Sequence, residues 1–87
     1  MKLNEQIFIN YNFTKLDSRY IYYGEDGITS IILTTSEDGF FYPSICQIPE
    51  MSNMEEQIVS LNRIKVLEEL QNIFIVVFGK NVKYGKN

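Results

Sequence analysis

The apolar positions change rhythm midway along the chain. Ile7, Ile9, Tyr11 and Phe13 alternate with Phe8, Asn10 and Asn12, the period of two that marks a half-buried strand. A tyrosine-rich run, Arg19 to Tyr23, follows, and after it comes Ile28 to Thr35, β-branched almost throughout. Phe40 to Ile48 has the same character. Between these runs stand Gly24-Glu25-Asp26-Gly27 and Ser36-Glu37-Asp38-Gly39, which share the tripeptide Glu-Asp-Gly. Asp-Gly favours hairpins because glycine accepts positive φ and aspartate tolerates it. Two such turns in series predict a meander of three antiparallel strands, with residues 7–13 joining as a fourth. Pro43 lacks an N–H for the ladder, so its strand is expected at an edge or bulged at that residue.

After Pro49 the spacing becomes helical. Ser52 with Glu55 three residues on reads as a capping box. Met54, Ile58 and Leu61 then share one helical face, whereas Leu67, Leu70, Phe74, Val77 and Phe78 cluster on a face roughly opposite. A break near Ser60 to Asn62 is therefore expected, with Asn62 capping a second helix and Gly79 ending it. Ile73 to Phe78 also has strand composition. Helix is the expectation there, and with Gly79-Lys80-Asn81 as a turn and Val82-Lys83-Tyr84 as a return a hairpin is the alternative, since periodicity does not decide a six-residue run. Together these elements predict one small α+β domain over residues 1–87. It is an antiparallel meander sheet of three or four strands in the N-terminal half, packed by one or two C-terminal helices, with a loose basic tail from about residue 80.

Composition refines this picture. The chain has 87 residues, 45% apolar and 14% aromatic, enough to fold without disulfide staples. Alanine, tryptophan and histidine are all absent. Without alanine, packing falls to branched and aromatic side chains. The abundance of isoleucine, asparagine, tyrosine and phenylalanine points to an AT-rich gene. The net charge is −3, but Lys80, Lys83 and Lys86 lie in the tail and leave −6 on residues 1–79. An acidic body repels nucleic-acid phosphates, so direct nucleic-acid binding is not expected, and it suits a basic protein partner. The N-terminus lacks a signal-peptide pattern, and the longest apolar run, Ile73 to Phe78, is too short to cross a bilayer. The expectation is a cytoplasmic protein without membrane contact.

The residues point away from catalysis. Without histidine there is no usual general base. Cys46, between Ile45 and Gln47, sits in an apolar strand context and reads as a small buried hydrophobe. No Cys/His cluster suggests zinc, and neither acidic turn has the spaced carboxylates of a calcium loop. No glycine-rich phosphate loop occurs. No catalytic, metal or cofactor residue is therefore assigned.

What remains is surface. Tyr20 and Tyr22 face opposite to Ile21 and Tyr23, and Phe40 and Tyr42 oppose Phe41, so both sheet faces carry aromatics. One helical layer covers one face. The tyrosine-bearing face is expected to meet a partner or a second copy in a homodimer, because tyrosine gives contact area at low entropy cost. The expected partner-binding residues are Tyr20, Tyr22, Glu25, Asp26, Glu37, Asp38, Phe40 and Tyr42. In size, acidity and strand-then-helix order the chain resembles short proteins of bacteriophages and mobile elements, anti-CRISPR proteins among them. No residue motif carries that resemblance, and no site is transferred through it. It implies an inhibitor in the bacterial cytoplasm that occupies a basic, nucleic-acid-binding surface of a host protein. The alternatives are a homo-oligomer that sequesters a nucleotide signal and an accessory subunit of a larger assembly.

Overall fold

The computed structural model describes residues 1–48 and 57–79. In chain order the elements are α1 (Glu5–Asn10), β1 (Thr14–Leu16), β2 (Arg19–Tyr23), β3 (Thr29–Thr35), β4 (Phe41–Gln47), β5 (Gln57–Ser60) and α2 (Leu67–Phe78). The strands form one antiparallel sheet in sequence order, a meander of five strands rather than three or four. The protein is thus α+β, with the sheet between an N-terminal and a C-terminal helix in the sequence.

The two Glu-Asp-Gly turns close their hairpins in the same way. Asp26 Oδ1 accepts from the Ile28 N–H at 3.0 Å, and Asp38 Oδ1 accepts from the Phe40 N–H at 2.9 Å. The following glycines, Gly27 and Gly39, have φ of 75° and 84°, a conformation that costs other residues more. The runs expected as strands accordingly fold as β2, β3 and β4, over Arg19–Tyr23, Thr29–Thr35 and Phe41–Gln47.

The segment expected as the first strand, residues 7–13, is helical at its start. The Asn4 side chain accepts from the Ile7 N–H at 2.9 Å and caps α1. Ile7, Phe8 and Tyr11 lie on its buried side, while Ile9 is exposed. Apolar residues at both odd and even positions satisfied either rhythm, and the asparagine cap decides for helix. Leu3 and Phe8 occupy the two positions of a hydrophobic staple, and both are in the core. Asn12, at φ 69°, ends the helix in the left-handed conformation that asparagine tolerates. The chain then enters β1, which pairs with β2.

The segment expected as a first helix is β5 over residues 57–60, so Ile58 there is not helical. Ser52, Met54 and Glu55 lie outside the described residues, as does the tail from residue 80. Gln57-Ile58-Val59-Ser60 has adjacent β-branched residues, and β4 offers it an open hydrogen-bonding edge. β4 is consequently the fourth of five strands and not an edge. Its Pro43 is accommodated because pairing with β5 stops at Ser44↔Ser60 and resumes only as a bridge, Phe41↔Ile64. The missing N–H falls in that interruption, while the Pro43 carbonyl accepts from the Leu61 N–H at 2.9 Å.

Asn62 does not cap the second helix. Ile64 and Val66 are held extended by bridges to Phe41 and Lys2, so α2 begins only at Leu67. The Glu69 carboxylate accepts from the Lys65 and Val66 N–H groups at 2.8 and 3.2 Å and satisfies that helix start. Residues 73–78 are helix, ended by Gly79 at φ 77°. Ile73 and Phe74 face the core, whereas Ile75 and Val76 face out, a helical rather than an alternating pattern.

Both helices pack on the same face of the sheet. That face carries Tyr20, Tyr22, Ile31, Leu33 and Ile45, joined in register as Tyr22↔Ile31↔Ile45 and Tyr20↔Leu33↔Pro43. The core is strongly aromatic. Phe8 lies 4.7 Å from Tyr20 and 4.9 Å, edge-on, from Phe41, and Phe74 packs against Tyr11, Phe13 and Tyr22. Such pairs contribute roughly 0.5–1.5 kcal/mol each beyond area burial. Aromatic rings thus pack beside Leu3, Leu33 and Leu70 and take the role that alanine fills in many helix–sheet contacts. Among the described residues no helix is long and apolar enough to cross a membrane.

Candidate functional site

The β3–β4 turn gathers surface side chains that hold one another in place. Asp38 closes the turn through the Phe40 amide and also accepts from the Tyr42 hydroxyl. Arg63 stands 3.7 Å from the second Asp38 oxygen. Its guanidinium lies over the Phe40 ring, 4.1 Å from the centroid, and the Lys65 ammonium lies 5.0 Å from the same ring. The Tyr42 hydroxyl, then the Phe40 amide and, more weakly, Arg63 hold the Asp38 carboxyl below its ordinary range. Asp38 therefore stays ionised to more acidic pH than a lone aspartate. Glu37 is exposed beside it. The result is an ordered tip carrying a carboxylate, a hydroxyl, an aromatic ring and two cations, with Tyr42 itself exposed.

Arg63 and Lys65 were not singled out by sequence pattern. They arrive because residues 61–66 return along β4 after β5 and pair at Phe41↔Ile64. A local signal exists: Arg63-Ile64-Lys65-Val66 alternates polar and apolar residues, as an extended segment does. Their meeting with Phe40, more than twenty positions away, is tertiary.

The other acidic turn lies at the opposite end of β3. Asp26 accepts from the Ile28 N–H, the Thr29 N–H and the Thr29 hydroxyl at 3.0, 2.9 and 2.7 Å. The Thr29 hydroxyl, followed by the two amides, lowers its pKa. Its carboxylate is thus committed to the turn, and Glu25 is exposed next to it. The two acidic pairs stay apart by the length of the strand.

Tyr20 and Tyr22, expected on the uncovered face, lie on the covered one. Tyr20 is only 6% exposed, and its hydroxyl donates to Glu5 at 2.8 Å. Tyr22 is half-buried among Phe13, Phe74 and Phe78. Burial first, then the Glu5 carboxylate, raises the Tyr20 pKa, and burial raises that of Tyr22. The helices cover the face with these larger rings, and the strand rhythm alone does not choose the face.

The opposite face carries Ile21, Tyr23, Ile32, Tyr42, Cys46 and Ile58. Tyr23 there is 63% exposed. Cys46 is 5% exposed, in keeping with a small packed side chain. Of the eight expected partner-binding residues, the structure therefore brings together Glu37, Asp38, Phe40 and Tyr42. It sets Glu25 and Asp26 at the far end of the sheet and Tyr20 and Tyr22 in the core. Among the described residues no group of three or more histidine, cysteine, aspartate or glutamate side chains is placed to hold a metal ion. No protein-family model, no curated protein and no solved structure matches the chain.

Proposed function

We propose that the chain acts by binding rather than by catalysis. In this reading it is an inhibitor in the bacterial cytoplasm whose acidic surface docks on a basic, nucleic-acid-binding surface of a host protein, as an anti-defence protein of the anti-CRISPR kind would. The supporting observation is the β3–β4 tip. Its acidic and aromatic side chains are held by Asp38, Tyr42 and Arg63 before any partner arrives. Preorganised side chains lower the ordering cost of association. The charge of −6 over residues 1–79 adds long-range attraction to a basic partner.

The test is capture from bacterial lysate with immobilised protein, at low and high salt and with duplex DNA as competitor. The expected result is a basic protein released by salt and by DNA, and retained poorly by Glu37→Lys and Tyr42→Ser. Capture indifferent to salt, DNA and both substitutions would overturn the reading. A co-purifying nucleotide would replace it with ligand sequestration.

A further inference from the structure

The two edges of the sheet are unlike. β1 is three residues long, and its central Lys15 is paired with Glu5 at 3.1 Å. A short, charged edge resists pairing with another chain. β5 has neither device. Gln57-Ile58-Val59-Ser60 is uncharged and free of proline, and all four residues are exposed. Ile58 on one face of the sheet and Val59 on the other are each 58% exposed.

The hydrogen-bond phase of β5 follows from its neighbours. The Phe41 N–H donates to Ile64, and the Pro43 carbonyl accepts from Leu61. Odd-numbered residues of β4 therefore point their backbone toward β5. Val59 and Gln57, opposite Ile45 and Gln47, point theirs back toward β4. The N–H and C=O groups of Ile58 and Ser60 face outward, away from the sheet.

We infer that β5 is a self-association edge, through which two copies of this chain pair antiparallel about a twofold axis and merge their sheets into one. The segment is self-complementary in that arrangement. A twofold axis normal to the sheet sets residues whose numbers have an even sum opposite one another, so side chains stay on their own faces. In the register centred on Val59, each Val59 meets its counterpart on the helix-bearing face. Each Ile58 exchanges backbone hydrogen bonds with the other copy's Ser60, which gives the outward groups partners. The strand itself carries no charge, so two acidic bodies meet there with the least repulsion. This inference concerns a different surface from the β3–β4 tip and stands independently of the proposed inhibitor role.

Sedimentation equilibrium from about 10 μM to about 1 mM, the range in which small interfaces associate, is expected to show the mass rising toward twice that of one chain. In the same solutions, amide hydrogen exchange at Ile58 and Ser60 is expected to slow by about tenfold as the dimer fills. Gln57 and Val59, already bonded to β4, should change little. Val59→Lys and Ile58→Lys are expected to remain folded by circular dichroism and monomeric throughout. Val76→Lys, on α2 at a side chain 83% exposed, is the control for general stickiness and is expected to dimerise like the parent. A parent chain that is monomeric over the whole range overturns the inference. So does a dimer whose Ile58 and Ser60 amides exchange at the monomer rate, or one that survives both lysines. If the parent is monomeric but Val59→Lys loses a protein captured by the parent, the edge receives a foreign strand and the second-copy assignment is wrong.

Discussion

The two faces of the sheet carry similar residue types and have opposite fates. On one, Tyr20 is 6% exposed beneath α1; on the other, Tyr23 is 63% exposed. The difference lies in what the helices bring. Phe8 and Phe74 dock on Tyr20 and Tyr22, and Phe78 extends the cluster toward the β2–β3 turn. A strand with apolar residues on both sides does not reveal which side will be covered. The covering elements decide, through the rings they present and the residues that let them approach. Gly24 is one such residue: a Cβ there would stand 2.6 Å from the Phe78 ring and 2.8 Å from the Thr29 carbonyl oxygen.

The widest gap between the faces is expected from truncation. Phe74→Ala removes a fully buried ring at the centre of the aromatic cluster and should cost about 3–5 kcal/mol. Tyr23→Ala on the open face should change stability by about 0.5 kcal/mol or less. Denaturant unfolding of both variants checks this, and equal losses would show that the open face is packed as tightly as the covered one.

A smaller effect is expected where α2 meets the sheet. Gly24→Ala should cost about 1–3 kcal/mol, because one of the crowding atoms is backbone and cannot swing aside. Gly24→Ala combined with Phe78→Leu should recover part of the loss by freeing the ring position. Absence of that coupling in a double-mutant cycle would mean that the helix end does not press on Gly24.

Cys46 sharpens the comparison from the other side, since it is buried on the face the helices leave open. Cys46→Ser should cost about 1 kcal/mol or more, and Cys46→Val should be tolerated. A serine variant as stable as the parent would show that the site is wetter than its 5% exposure indicates.

The smallest and most distributed effect is that of pH. Glu5, Asp26, Asp38 and Glu69 all have carboxyl pKa values below their ordinary ones, through Tyr20, Thr29, Tyr42 and the Lys65 amide respectively as the leading causes. A carboxyl whose folded pKa is depressed binds its proton more readily when unfolded. Its stabilisation is fully present above the ordinary carboxylate range and is lost as pH falls through the folded value. Stability should therefore decline on acidification below that range. Glu5→Gln should flatten this decline while loosening α1 on the covered face. Asp26→Asn should flatten it while disturbing only the β2–β3 turn. NMR titration of the parent carboxyls, with acid unfolding of the two variants, distinguishes the contributions; acid profiles unchanged in both would refute the assignment.

Of the candidate site, the tip at Glu37, Asp38, Phe40 and Tyr42 was legible because Asp-Gly chemistry is local and places those side chains on one hairpin. Its cationic half, Arg63 and Lys65, was not, because it reaches Phe40 only through the path of residues 61–66 beside β4. Tyr20 and Tyr22 were placed on the wrong face because alternation divides a strand into two sides without naming the inner one.

The sequence by itself determined the central hairpins and favoured, without deciding, the C-terminal helix. Aspartate side chains satisfying amides two residues on, glycines at positive φ and a run of β-branched residues act within a few positions. So does the Leu70, Phe74, Val77 spacing closed by Gly79. Tertiary structure decided the two ends of the sheet. Residues 7–13 and 57–60 each fit two periodicities; packing of Ile7, Phe8 and Tyr11 into the core goes with helix in one case, and the open edge of β4 goes with strand in the other. An amphipathic pattern records only which residues avoid water. Whether they do so as strand or helix depends, in segments this short, on whether a neighbouring backbone supplies the hydrogen bonds.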